Sequence, residues 1–209
     1  MDLHKSLRAA FSGPVFWSRR VAAAASLTVA FTALSGCGGS PLETFDLTAP
    51  ASGIAQGSPR GQLAVSQPEA TPPVDGDRIV VRTGTESVAF LSGAQWSDRL
   101  PRLVQTRLIQ TFENGHSLGA VGRAGDRLTP NATLTSEIRR FEIDVTTGQA
   151  VVEISVKLIT EGSGHVAKAK IFTVRAPGSA TDGPQAAAAL DAALGQTLRQ
   201  IVAWTVGRG

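Results

Sequence analysis

Four places in this chain carry residue types that could do chemistry, and they are unequal. Cys37 is the only cysteine, and its sulfur is the one soft nucleophile available to take up a lipid-bearing group as a thioether. Leu34-Ser35-Gly36 stands directly before it, and the small side chains at 35 and 36 let that stretch of backbone enter a peptidase. His116 follows Gly115, and His165 follows Gly164 in a glycine-rich turn; both read as solvated loop histidines. His116-Ser117 is a neighbour pair in sequence, whereas a nucleophile and its base are brought together in space. Glu142 and Asp144 share one face of a strand pattern, but Arg140 and Lys157 beside them point to a solvated charged surface. The glycines of Gly119-Ala120-Val121-Gly122-Arg123-Ala124-Gly125 lack the spacing and the Lys-Ser/Thr ending of a phosphate loop, so this stretch reads as a flexible connector. No catalytic residue, cofactor-binding residue or metal ligand is expected, and the chain is expected not to be an enzyme.

What surrounds Cys37 decides its chemistry. Met1 to Arg20 carries Lys5, Arg8, Arg19 and Arg20 against the single acid Asp2, and Val21 to Leu34 has no charge. A positive stretch, a short apolar stretch and then small residues is the layout of an export signal. As a helix the apolar run reaches only about 21 Å, short of the roughly 30 Å of a bilayer core. It can engage export machinery but is a poor permanent span. Leu34-Ser35-Gly36-Cys37 resembles the lipobox of bacterial lipoproteins, in which the thiol is acylated and the bond before it is cut. We therefore expect a signal peptide over 1–36, with Cys37 the lipidated N-terminus, bearing fatty acyl groups such as palmitate, and residues 37–44 a short tether. A lone thiol on an exported chain would otherwise need explaining. Val21-Ala22 does not complete a twin-arginine pattern after Arg19-Arg20, so standard unfolded export is expected. Gly38 stands where an aspartate commonly retains lipoproteins in the inner membrane of enteric bacteria, and by that resemblance points to the outer membrane.

The charge balance changes once the signal is removed. It holds four of the 20 basic residues and one of the 17 acids, so the remaining 173 residues carry sixteen of each. A neutral domain offers no electrostatic case for nucleic acid, whose binding rests on phosphate neutralisation. That length suits one domain with a real core, taken here as 45–209.

The periodicity specifies α+β: an antiparallel or mixed sheet with a β-meander and two amphipathic helices packed on one face. Residues 51–77 read as two Pro/Gly/Ser-rich loops flanking one short strand at Leu63-Ala64-Val65. Arg78–Thr83 and Glu86–Ser92 are β-rich runs broken at Gly84-Thr85. A helix over Ser97–Asn114 is expected to be capped by Ser97 and stopped by Gly115, with Leu100, Leu103, Val104, Leu108 and Phe112 on one face. Arg140–Val145, Val152–Leu158 and Val166–Val174 alternate as a meander, one face buried and one wet, with room for a bulge near Ile171-Phe172. Gln185–Val206 carries an apolar stripe from Ala186 through Leu190, Leu194 and Leu198 to Val202. Trp96 and Trp204 read as packing residues. If Phe45-Asp46-Leu47 is a strand, the tether from Cys37 reaches at most about 28 Å, and the domain stays close to its membrane.

This order of features is similar to one family. An exported cysteine, Phe45-Asp46-Leu47, a β-pair, Trp96 leading into a Leu-rich helix, Ile138-Arg139-Arg140-Phe141-Glu142 opening a meander, and a last helix ending Ile201-Val202-Ala203-Trp204 together resemble the ABC-type transport auxiliary lipoproteins, the PqiC-like group. The resemblance spans nearly all of residues 37–206, and Phe45 stands where relatives often carry a tyrosine. It implies a non-catalytic, periplasm-facing lipoprotein of the cell envelope, without a cofactor beyond the covalent lipid on Cys37. Its partners would be an MCE-domain protein forming a lipid conduit and the ABC permease and ATPase that drive it, with the lipoprotein docking the conduit at the outer membrane. Some relatives form rings, so the resemblance admits a homo-oligomer. A structural or assembly lipoprotein of the outer membrane with no transporter partner is the other function these residues allow.

Overall fold

One strand organises the sheet. In the computed structural model, which describes residues 42–51, 61–116 and 118–207, β7 (Ala132–Asp144) runs over thirteen positions, its last four all buried. Along one edge it pairs antiparallel with β8 (Gln149–Thr160), which pairs antiparallel with β9 (Val166–Pro177). Along the other edge lie three short parallel strands set end to end: β2 (Gln62–Val65) against 132–134, β3 (Glu69–Ala70) against 137–138, and β4 (Arg78–Arg82) against 142–144. β6 (Ala120–Arg123) extends the sheet beyond β2. β5 (Val88–Trp96) pairs antiparallel with β4, and β1 (Glu43–Phe45) runs parallel to β5. Nine strands thus form a mixed open sheet.

Both helices cover the same face. α1 (Leu100–Gly115) buries Leu100, Leu103, Val104, Leu108 and Phe112, the stripe its spacing specifies. α2 (Gly183–Thr205) buries Ala186, Leu190, Leu194, Leu198, Ile201 and Val202. These side chains join those of the sheet in one core. At its centre Trp96 meets Phe141 edge to face, ring centroids 5.8 Å apart. The α+β class, the meander and the two helices are as the periodicity specified.

Several local details differ. α1 starts at Leu100, not Ser97: the Ser97 hydroxyl donates to Asp46 Oδ1 at 3.2 Å, and its amide to the Phe45 carbonyl at 2.7 Å. Arg99 is the flanking residue, without a side-chain cap, and Pro101 sits in the first turn where it removes no helical donor. Gly115 is the last helical residue; the left-handed residue that ends the helix is His116, with φ 47°. The stretch read as a connector, Gly119 to Gly125, contains β6, held to β2 by a four-residue parallel register. The register runs unbroken through Ile171 and Phe172, and the slips fall at Ile138/Arg140 and Leu158/Ile159 instead. β3 went unforeseen.

The N-terminal stretch straps the two helices. After β1, Asp46 Oδ2 accepts from Arg107 of α1 at 2.6 Å. The Thr48 amide and hydroxyl donate to the two carboxylate oxygens of Asp191 in α2 at 2.7 and 2.6 Å. Asn114 donates to the Pro50 carbonyl at 3.0 Å. Phe45 lies so close to Gly183, the first residue of α2, that a Cβ there would sit 2.9 Å from its ring. The lipobox residues Leu34, Ser35, Gly36 and Cys37, the signal segment 1–36 and most of the tether lie outside the described residues.

Candidate functional site

The helix-free face of the sheet holds the most organised polar cluster among the described residues. Glu142, expected on a solvated surface, is only 2% exposed. Arg82 Nε and Nη2 donate to its two oxygens at 2.7 and 3.1 Å, and Arg140 Nε donates to Oε1 at 2.7 Å. Parallel pairing of β4 with β7 makes this possible, because it sets Val80 beside Glu142 and Arg82 beside Asp144. Val80 and Val151 flank the carboxylate on the neighbouring strands and are themselves buried. The bonded Glu142 carboxylate raises the Arg82 guanidinium above its ordinary value. Asp144 adds a turn of its own: its Oδ1 accepts from the Thr146 hydroxyl at 2.6 Å and from the amides of Thr146 and Thr147. The Thr146 hydroxyl bond, with those amides and the charge of Arg140, outweighs desolvation and holds the Asp144 carboxyl below the usual aspartate value. Arg82 was missed in the sequence. Its only signal was Arg78-Ile79-Val80-Val81-Arg82, two cations on one strand face with no carboxylate in reach along the chain.

This cluster satisfies itself. Every carboxylate in it is paired with a guanidinium or hydroxyl, so it clamps β4 onto β7 and leaves no activated base or nucleophile. His116 ends α1 as an exposed cap, and His165 is exposed in the β8–β9 turn, where its amide donates to the Ser163 hydroxyl at 3.3 Å. Among the described residues neither forms an ion pair with a carboxylate. No group of three or more His, Cys, Asp or Glu placed to hold a metal occurs among the described residues. A shallow cleft of 520 Å³ runs beside β3, lined by Glu69, Asp75, Arg99, Arg102 and Glu137; its two arginines are partnered, Arg99 with Asp75 at 2.6 Å and Arg102 with Asp98 at 3.1 Å.

The fold also has two distinct ends. At one, β4, β7 and β9 finish and β5 and β8 begin. At the other, the β8–β9 hairpin projects past the core, and Val166 to Ile171 are exposed. There Lys168 donates to the Trp204 carbonyl at 3.3 Å and stands 5.7 Å over its ring, capping the C-terminus of α2. Trp204 in turn meets Phe172 edge to face at 5.7 Å.

Comparison with known proteins assigns this architecture. The family described as ABC-type transport auxiliary lipoprotein component matches residues 44–202, from β1 to the last turns of α2. The chain belongs to that family. The ABC-transport auxiliary match includes all nine strands and all but the end of α2. A protein of Bradyrhizobium diazoefficiens, bll6063, is 31% identical over 173 residues, covering 81% of this chain and 47% of its own length. The chain thus spans about half of that curated relative. Among solved structures, protein XCC0632 from Xanthomonas campestris superposes with a TM-score of 0.71 at 27% identity, covering 78% of this chain and 94% of that one. A further crystal structure, at 15% identity and a TM-score of 0.63, covers 79% of this chain and 99% of its own and shares the fold. By its description the auxiliary family is one of lipoprotein components of ABC-type transport, a setting in the cell envelope.

Proposed function

We propose that this auxiliary lipoprotein is a non-catalytic docking domain, anchored through lipid on Cys37 and holding an MCE-type lipid conduit at the outer membrane. The carrying observation is the family match over the folded unit, taken with the place of that unit in the chain. β1 begins at Glu43, six positions after Cys37, so a fully extended tether reaches about 21 Å. A domain on so short a leash cannot cross the periplasm and must meet its partner near one membrane. The chain makes and breaks no covalent bond in this role and needs no cofactor. Its polar clusters hold strands and helices together, and its surfaces are left to bind. The ABC permease and ATPase would act from the inner membrane, with the MCE protein spanning the gap.

Cross-linking in intact cells followed by mass spectrometry tests the partner. Recovery of an MCE-domain protein is the expected result. Recovery of outer-membrane assembly proteins alone would replace this role with that of an assembly lipoprotein. Cys37→Ala tests the anchor: metabolic labelling with palmitate should be lost and the chain should stay as the unprocessed precursor. Label retained by that variant overturns the assignment of Cys37.

A further inference from the structure

We infer that the end of the domain bearing Val88, Phe90 and Val145 rests on the bilayer surface, as a second membrane contact beside the lipid anchor. The inference rests on lipidation of Cys37. Large apolar side chains exposed among the described residues are few: Leu42, Val88, Phe90, Val145, Val166 and Ile171. Three of the six, Val88, Phe90 and Val145, stand together where β5 begins and β7 ends. Val88 and Phe90 lie on the helix-free face at the start of β5, 42% and 48% exposed. Val145, 47% exposed, follows β7, its amide donating to the Arg82 carbonyl at 3.1 Å, beside Val88's partner. Leu42 precedes Glu43, whose register partner is Ala94.

The reach of the tether selects the occupant. β1 runs parallel to β5 and pairs with its last residues, so Leu42, just ahead of β1, lies on the side of Glu43 toward the start of β5. Five positions separate Cys37 from Leu42, a span of at most about 18 Å. Along β5, Phe90 lies four residues before Ala94, about 13 Å at 3.3 Å per residue. A lipid on Cys37 therefore leaves these side chains within reach of the bilayer, where exposed apolar groups gain by insertion. The Arg78 guanidinium, 5.5 Å over the Phe90 ring, adds a cation suited to lipid phosphate. Glu86 stands at the same end, so the patch is not strongly basic and apolar contact must supply most of the attraction. Of the other exposed residues, Val166 lies toward the opposite end, paired with Ile159 about 33 Å along β8 from its start, and Ile171 lies midway, paired with Ser155.

Because Cys37 is the only natural cysteine and becomes a thioether, Phe90→Cys, Val145→Cys and Val166→Cys each introduce a single reactive thiol into the full lipidated protein. Spin labels at these positions are read in vesicles of phosphatidylethanolamine with a minority of phosphatidylglycerol. The expected result is a several-fold higher ratio of oxygen to nickel-chelate accessibility at 90 and 145 than at 166. Flotation of the same vesicles reports anchoring independently. Protein that floats with all three labels equally open to the chelate overturns the surface contact and leaves the anchor standing. Protein that floats with all three equally shielded overturns it as well, because the domain would then lie flat. Protein that fails to float removes both.

Discussion

The two faces of the sheet bury their residues by different physics. Under α1 and α2, burial is apolar: Trp96, Phe141, Ile143, Val152 and Phe172 pack against helical leucines in a single core. On the open face no helix arrives, yet Glu142 is as buried as Phe141. There Arg82 and Arg140 hold the carboxylate between them, while buried Val80 and Val151 flank it on the neighbouring strands. The first kind of burial needs only the right period along one strand. The second needs a partner from a strand brought alongside by the fold.

That contrast can be broken experimentally. The largest effect belongs to the covered face: Phe141→Ala should cost about 3–5 kcal/mol, since it removes a ring from a packed core and strands the edge of Trp96. Chemical denaturation measures it, and a loss under 1 kcal/mol would mean that the site collapses to fill the space. On the open face, Arg82→Ala should cost about 1–3 kcal/mol. It leaves Glu142 with Arg140 alone, and Arg82 itself is about a quarter exposed, which lowers the value below that of a fully buried pair. Arg82→Met combined with Glu142→Leu should cost less than Arg82→Ala, because no charge is left stranded. If the double variant is the worse one, the pair is a net source of stability and the contrast between the faces fails.

The smallest effect is with pH. Partial burial pushes the Asp46 carboxyl upward, but the Arg107 guanidinium, the Leu47 amide and the Ser97 hydroxyl outweigh it and hold the group below its usual value. Asp144 is lowered as well. Groups whose folded values are depressed stabilise the fold fully above the unfolded aspartate value of about 3.9, and that contribution is lost as pH falls through the lowered folded values. Melting temperature should therefore hold near neutrality and decline from about pH 4 downward. Asp144→Asn should flatten part of the decline, read by melting curves across an acid series. An unchanged acid limb in that variant would show that the Asp144 turn contributes nothing to it.

What the sequence made legible follows the same division. β8, β9, α2 and the part of β7 from Arg140 onward were readable because alternating or 3.6-period runs encode their own buried face, and the α+β class followed from them. β3 and β6 were not, since two residues, Glu69-Ala70, or four, Ala120 to Arg123, hold no period; they are strands because β7 and β2 offer them a ladder. Ser97 has the chemistry of a cap but spends its hydroxyl on Asp46, fifty-one positions away. The Glu142 cluster was half legible, its carboxylates and Arg140 visible as a surface pattern and Arg82 hidden by a parallel register that no local rule supplies. Cys37 lies outside the described residues, and its reading rests on the sequence alone, as a thiol at the end of an apolar run.

The placing of β2, β3 and β4 end to end on β7 has a kinetic consequence. Their ladder partners lie more than sixty positions downstream, so a chain delivered from its N-terminus presents three short strands with open edges before the strand that receives them has arrived. Loop closure of that length must precede any reward from pairing. The domain should therefore assemble late and as a unit, once residue 144 is free. Until then the waiting edges are the stretch of the chain most in need of a holding chaperone.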